Sequence, residues 1–360
     1  MSEPAAYQPV VDAPHGMNLI DWDRLTGWMD AQGLGSGPFE AVTPLTGGSQ
    51  NVLVRFRRDG KDLVLRRPPL HPTRNGSETM RREARVLAGL ADTDVPHARL
   101  IAACGEEDVI GAAFYLMEPV EGFNAALGLP ALHRSDPGIR RTMGLEMAST
   151  LARISQVDIA KAGLSDFGRP EGFLERQIPH WMGQLEGYRK QPGWPGPDSL
   201  PGIRFVAEWL EANRPVTFTP GLMHGDYHFK NVMFSNTGPE IAAVVDWELT
   251  TIGDPMIDLG WLIATWRGPG GDKSETTIIV EPWDGFPEAD ELVSVYADAT
   301  GRDVSAVSWY AVFACFKLGI LLEGSYARAL AGKAPLAIGE RLHANVLRLL
   351  NRARRWIAEA

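Results

Sequence analysis

The sequence predicts an α+β protein of two lobes, a small β-rich one followed by a larger, mainly helical one. Three observations carry this reading. From Phe39 onward apolar residues recur at every second position: Val52, Val54 and Phe56 alternate with Leu53 and Arg55, and Asp59-Gly60 is a two-residue hairpin signal. Beyond Gly122 the spacing becomes helical. Between Leu222 and Asp246 one short strand-loop-strand region interrupts the helices. A chain of 360 residues has room for both lobes.

Taken in order, residues 1–17 are expected to form a flexible tail, 18–121 the β-rich lobe and 122–360 the helical lobe. Leu19, Trp22, Leu25, Trp28 and Met29 share one face of a short helix closed by Gly33 and Gly35. A strand at Asp62–Arg67 is stopped by Pro68-Pro69. Ser77 reads as the N-cap of a helix with Met80, Ala84, Leu87 and Leu90 as its apolar stripe. Strands near Arg99–Cys104 and Ala112–Pro119 complete the lobe. Helices are expected at Met143–Val157, Phe173–Tyr188 and Ile203–Asn213, and a mobile loop at Gly268–Thr276. On the last helix Leu342, Val346, Leu349, Ala353 and Trp356 share a side suited to internal packing or a dimer contact, so monomer and homodimer both stay open.

Composition narrows the partners. The protein is 44% hydrophobic and 22% charged, an ordinary globular balance. A formal charge of −10 argues against a surface built for nucleic acid or anionic lipid. Cys104 and Cys315 have neither metal-ligand nor disulfide spacing. Met1–Gly16 contains no apolar run. The stretches Ile257–Trp266 and Ala311–Leu322 are interrupted by Asp258 and Lys317 and read as too short for a membrane span. A cytoplasmic protein that binds neither nucleic acid nor membrane is expected.

The chemistry is concentrated in His224-Gly225-Asp226-Tyr227-His228-Phe229-Lys230-Asn231, followed by apolar Val232-Met233-Phe234. Transfer of a phosphoryl group to an alcohol needs a carboxylate to orient the hydroxyl and take its proton, with oxygen ligands for Mg²⁺ nearby. An Asp followed five positions later by an Asn supplies both groups. The apolar run Ile241–Val245 then delivers Asp246, 15 residues after Asn231, as a second metal-ligand candidate. Alternation on Leu63-Val64-Leu65-Arg66 places Val64 and Arg66 on one face. Gly47, Gly48 and Ser49 join two predicted strands and let backbone N–H groups approach phosphate oxygens.

The run HGDYHFKN, then VVDWEL, then GDPMIDLGWL, resembles the aminoglycoside phosphotransferase family, a branch of the bilobal protein-kinase-like fold. The resemblance extends over roughly residues 40–330. It implies Asp226 as catalytic base, Asn231 and Asp246 as Mg²⁺ ligands, and His224 as the residue that shapes the loop. Lys230 is then in reach of the transferring phosphate. Arg66 replaces the family's phosphate-binding lysine, with Glu83 as its ion-pair partner, and Asp258 braces the loop. Met117, Glu118 and Val120 form the hinge that reads the base of ATP or GTP.

Leu45–Asn51, Leu65-Arg66-Arg67-Pro68-Pro69, Gly168-Arg169-Pro170, Arg176-Gln177, Trp181 and Phe316-Lys317-Leu318 are similar to the kinase-like domain joined to some acyl-CoA dehydrogenases. That likeness implies an ATP-dependent kinase acting on the hydroxyl of a small molecule such as a hydroxyacyl-CoA. An antibiotic phosphotransferase is the nearest alternative. A nucleotide-binding accessory protein without turnover is the other.

Overall fold

The computed structural model describes residues 14–45, 51–70, 75–274 and 276–360, and divides into two units. The first comprises the described residues up to Glu121 with Lys161–Leu164 and Ala243–Glu248; the second is the remainder.

In the first unit a 3₁₀ turn at Pro14–Leu19 leads into α1 (Trp22–Ala31). The expected tail therefore ends earlier than residue 17, because Met17 and Ile20 are buried and give the turn a core to pack on. Five strands follow, with helix α2 (Gly76–Leu90) inserted after the third: β1 (Glu40–Pro44), β2 (Val52–Arg58), β3 (Lys61–Arg67), β4 (Leu100–Cys104) and β5 (Phe114–Met117). They form one antiparallel sheet in the order β1-β2-β3-β5-β4. Asp59 and Gly60 both take left-handed angles, φ 51° and 70°, as a tight hairpin of matching twist requires.

One face of the sheet packs Val54, Phe56, Leu63, Leu65 and Phe114 against Leu25 and Met29 of α1. Alternation turns Val64 and Arg66 to the other face, where α2 packs. The cap of α2 differs from expectation. Asn75 accepts from the Glu78 N–H, while Ser77 lies within the first turn and its hydroxyl accepts from the Ala113 N–H at 3.2 Å. Ser77 thus ties α2 to the sheet.

The second unit contains α3 (Ala131–Ser135), α4 (Pro137–Ser155), α5 (Gln177–Gly187), α6 (Ile203–Ala212), β6 (Gly221–Met223) and β7 (Val232–Phe234). β8 (Ile241–Val244) then begins in this unit and carries the chain into the first. After Glu248 the second unit resumes with β9 (Thr251–Gly253), α7 (Met256–Thr265), α8 (Ala289–Thr300), α9 (Val307–Leu330) and α10 (Leu336–Glu359). β6 and β9 pair antiparallel, so the catalytic-loop sequence leaves a strand that is fixed from its own side.

α7, α9 and α10 build the core. Gly260 lets α7 approach α9 closely, since a Cβ there would collide with the Tyr310 backbone. Buried Arg352 of α10 donates to the carbonyls of Ile263 and Trp266 at 3.0 and 2.7 Å, closing the C-terminal end of α7. Val346, Leu349 and Ala353 are buried, and α10 packs along α9. The 24-residue α9 is longer than its apolar pattern suggested, long and apolar enough to cross a bilayer, but 67% of its apolar window is buried within the protein. In the loop after α7, Thr276 is buried and its hydroxyl donates to the Thr265 carbonyl at 2.8 Å.

Candidate active site

The second unit's part of the site is the loop between β6 and β7. Gly225 has φ +87°, and a Cβ on it would lie 2.6 Å from the Leu249 carbonyl oxygen. The chain turns here because only glycine fits both the angle and the space. Gly225→Ala is expected to destabilise the protein by about 2–4 kcal/mol, read as an earlier urea midpoint with unchanged slope.

Two buried charges hold this turn. The Asp258 carboxylate accepts from the His224 N–H at 2.6 Å and from the Gly225 N–H at 2.8 Å. The Lys317 ammonium donates to the Gly225 carbonyl at 3.1 Å. Burial pushes the Asp258 carboxyl up, while His224 and the two N–H groups pull it back. His224 is itself fully buried, and its Nδ1 accepts from the Asp226 N–H at 3.2 Å.

Asp226, released from this clamp, is partly exposed and oriented from both sides. Asn231 Nδ2 donates to its Oδ2 at 2.8 Å and to its backbone carbonyl at 2.9 Å. With Nδ2 so engaged, the Asn231 amide oxygen is the atom that could hold a cation. His228 Nε2 lies 3.3 Å from Asp226 Oδ1. Burial lowers the His228 pKa, with Asp226 opposing. The Lys230 side chain is exposed. Asn124 Nδ2 is shared by the carbonyls of Phe229, Lys230 and Val232, the shortest contact being 2.7 Å. Nothing in the local pattern around Asn124 marks this role.

The first unit holds the other predicted group. Arg66 Nη2 lies 3.0 Å from Glu83 Oε1 and 2.6 Å from Asp246 Oδ1. Tyr115, opposite Arg66 in the β3–β5 register, donates to Glu83 Oε2 at 3.0 Å. Burial alone would lower the Arg66 pKa, but Tyr115, Glu83 and Asp246 around it raise it. Burial pushes the Glu83 carboxyl up to about 7, with Arg66 pulling it down and Asp246 and Glu248 pushing it further. Ligand oxygens of Glu83, Asp246 and Glu248 lie within 4.8 Å of one another. Three carboxylates this close to one another suit a divalent cation of hard character. Asp246 has φ 69°, a left-handed angle rare for a non-glycine residue and typical of residues held for function.

Of the hinge residues, Met117 pairs with Val64, and the Glu118 N–H donates to the Arg99 carbonyl at 2.9 Å. The Glu118 side chain is bonded to Arg99, and Val120 is half-buried. Gly47, Gly48 and Ser49 fall outside the described residues.

Asp254 supports the site from behind. Its Oδ1 accepts from the Met256 N–H at 3.1 Å, and the Tyr310 hydroxyl donates to Oδ2. Burial raises its pKa from 3.8 to about 6 despite these bonds. A carboxyl raised by folding favours the native state while it is protonated, and that contribution is lost as pH rises through about 6. Asp254→Asn keeps a neutral, hydrogen-bonding side chain. The wild-type minus variant difference in unfolding free energy is expected to fall by up to about 3 kcal/mol between about pH 4 and 7. Denaturation at several pH values reads it; a flat difference would show that Asp254 does not titrate this way.

Comparison with known proteins agrees with this geometry. The APH model, described as a phosphotransferase enzyme family, matches residues 41–292. Mouse acyl-CoA dehydrogenase family member 10 is 28% identical over 314 residues, covering 85% of this chain and 28% of that protein. The chain spans between 28% and 37% of the length of the curated relatives it matches. A crystal structure from Ralstonia eutropha, assigned as an aminoglycoside phosphotransferase, is 30% identical with a TM-score of 0.76, covering 93% of this chain and 98% of that one. A thermostable mutant of aminoglycoside phosphotransferase APH(4)-Ia, solved with ADP and hygromycin B, shares the fold at 14% identity and TM-score 0.56, covering 91% of this chain and 97% of that one. The α+β, kinase-like architecture is therefore shown. The family uses ATP with a divalent metal. With the family model spanning most of the sequence and the Ralstonia structure following it nearly end to end, the chain belongs to the APH phosphotransferase enzyme family.

Proposed function

We propose that the protein transfers the γ-phosphoryl group of ATP to a hydroxyl group of a small molecule, with Mg²⁺ as the divalent cation. The observation that carries this is the fixed carboxylate of Asp226, held by Asn231 at 2.8 Å on a turn clamped by Asp258. A carboxylate with one orientation is a competent general base for an alcohol. Asp226 takes the hydroxyl proton as the acceptor oxygen bonds to the γ-phosphorus. The bond from that phosphorus to its bridging oxygen breaks, and ADP leaves.

The remaining residues take supporting roles. Arg66, always charged, holds nucleotide phosphate oxygens, and Glu83 fixes its fork. Asp246 and Glu248 would hold a divalent cation through carboxylate oxygens, and Asn231 would offer an amide oxygen. The bound cation supplies charge neutralisation on the phosphates. Backbone groups of Met117, Glu118 and Val120 read the base. The relatives' acyl-CoA dehydrogenase names favour a hydroxyacyl thioester over an aminoglycoside as acceptor.

A coupled ADP-release assay over hydroxyacyl-CoAs, sugars, amino alcohols and aminoglycosides tests the proposal. One acceptor class is expected to stimulate ADP release; no stimulation across all four would count against it. A second reading, nucleotide binding without turnover, is favoured by one contact: Arg66 occupies an oxygen of Asp246 at 2.6 Å. Under that reading the wild type binds nucleotide without turnover, and Arg66→Lys restores it.

A further inference from the structure

The second unit contains a cavity of about 610 Å³ whose lining includes Gly225, the residue before Asp226. Phe173 and Trp181 give it aromatic walls, while Arg176 and Lys317 give it positive charge beside the carboxylate of Glu175. Lys317 is the unusual member. It lies in the middle of α9, is only 8% exposed, and donates to the Gly225 carbonyl at 3.1 Å. Its ammonium lies 4.6 Å from the ring centre of Trp261 and 5.5 Å from that of Trp181.

A buried ammonium is costly to desolvate, and an apolar side chain of the same length would fill this volume at less cost. Asp258, whose carboxyl Lys317 helps to pull down, offsets part of that cost, and the ammonium also faces the cavity. Asp258 holds the N–H of Gly225 and Lys317 holds its carbonyl, so the residue before Asp226 is fixed through both of its backbone groups. The same ammonium lines the cavity. Aromatic faces recognise organic cations, but here Trp181 and Trp261 already carry one. An acceptor bearing amines would meet Lys317 and Arg176 as like charges.

We infer that this cavity binds the acceptor through an anionic group, a carboxylate or a phosphate, and that Lys317 is its specificity and positioning residue. The inference rests on the phosphotransferase reading for the word acceptor, whereas the charge preference of the cavity stands on its lining. An anion drawn to Lys317 is held beside the peptide that orients Asp226, so charge recognition and placement of the base depend on one side chain.

The test is a tryptophan-fluorescence titration of the full chain without nucleotide, using hydroxybutyrate, coenzyme A, butanediol and kanamycin. Saturable binding of hydroxybutyrate or coenzyme A is expected, about tenfold or more tighter than butanediol or kanamycin. Hydroxybutyrate binding marks a carboxylate site, and coenzyme A binding a phosphate site. Lys317→Met is expected to weaken anion binding about tenfold or more, and Lys317→Arg to retain it. Rescue by the charge-preserving variant separates recognition from simple packing. The inference is overturned if neither anion binds saturably, if butanediol or kanamycin binds as tightly as the anions, or if Lys317→Met binds them unchanged. Should Lys317→Met not fold by circular dichroism, the ranking of the four probes on the wild type decides alone. Because no nucleotide is present, a failure here is distinguishable from a failure of ADP release.

Discussion

Asp226→Asn is expected to lower acceptor-dependent phosphoryl transfer roughly a hundredfold to ten-thousandfold while leaving Mg·ATP affinity nearly unchanged. The amide keeps the shape of the carboxylate and a bond to Asn231, so the loop stays in place. What disappears is the proton acceptor. The loop's supports do not depend on the charge of Asp226: the bonds from His224 and Gly225 go to Asp258, and Asn124 holds the carbonyls further along. Turnover by stopped assay and nucleotide affinity by calorimetry separate the two effects. Unchanged turnover would remove Asp226 as the base.

Asp246→Asn is expected to weaken Mg·ATP binding by about tenfold to a hundredfold, the scale of losing one charged contact. Asparagine tolerates the left-handed angle of φ 69°, so the backbone strain is not the variable being tested. Removing this negative charge also relieves Glu83, whose carboxyl Asp246 helps to push up to about 7, and leaves Arg66 with Glu83 as partner. Binding of metal-free ATP should therefore change much less than binding of Mg·ATP. Equal affinity of variant and wild type for Mg·ATP in calorimetry would exclude Asp246 as a ligand.

Much of this arrangement was legible because it follows from local pattern. Strand alternation put Val64 and Arg66 on one face, and the resemblance named Glu83 as the partner of Arg66; the two side chains meet at 3.0 Å. Asp226 and Asn231 are five residues apart in a short loop, and they are joined at 2.8 Å. The long-range partners were not legible. Tyr115 reaches Glu83 because β3 and β5 pair with Arg66 opposite Tyr115, and a period of two does not fix which strand lies beside which. Lys317 meets Gly225 across 92 residues of sequence, so nothing in the apolar pattern of α9 points to it. The cap of α2 was missed for a different reason. Asn75 and Ser77 are both good caps two residues apart, and the sheet claims Ser77 through Ala113.

The account stands on transfer of a phosphoryl group from nucleotide to hydroxyl, and a label on the γ-phosphoryl of ATP follows that transfer directly. After incubation with Mg²⁺ and the acceptor panel, the label is expected in a phosphomonoester of one acceptor with wild-type protein and to remain in ATP with Asp226→Asn. Label that appears only as inorganic phosphate, or that stays in ATP with the wild type across the whole panel, would contradict it.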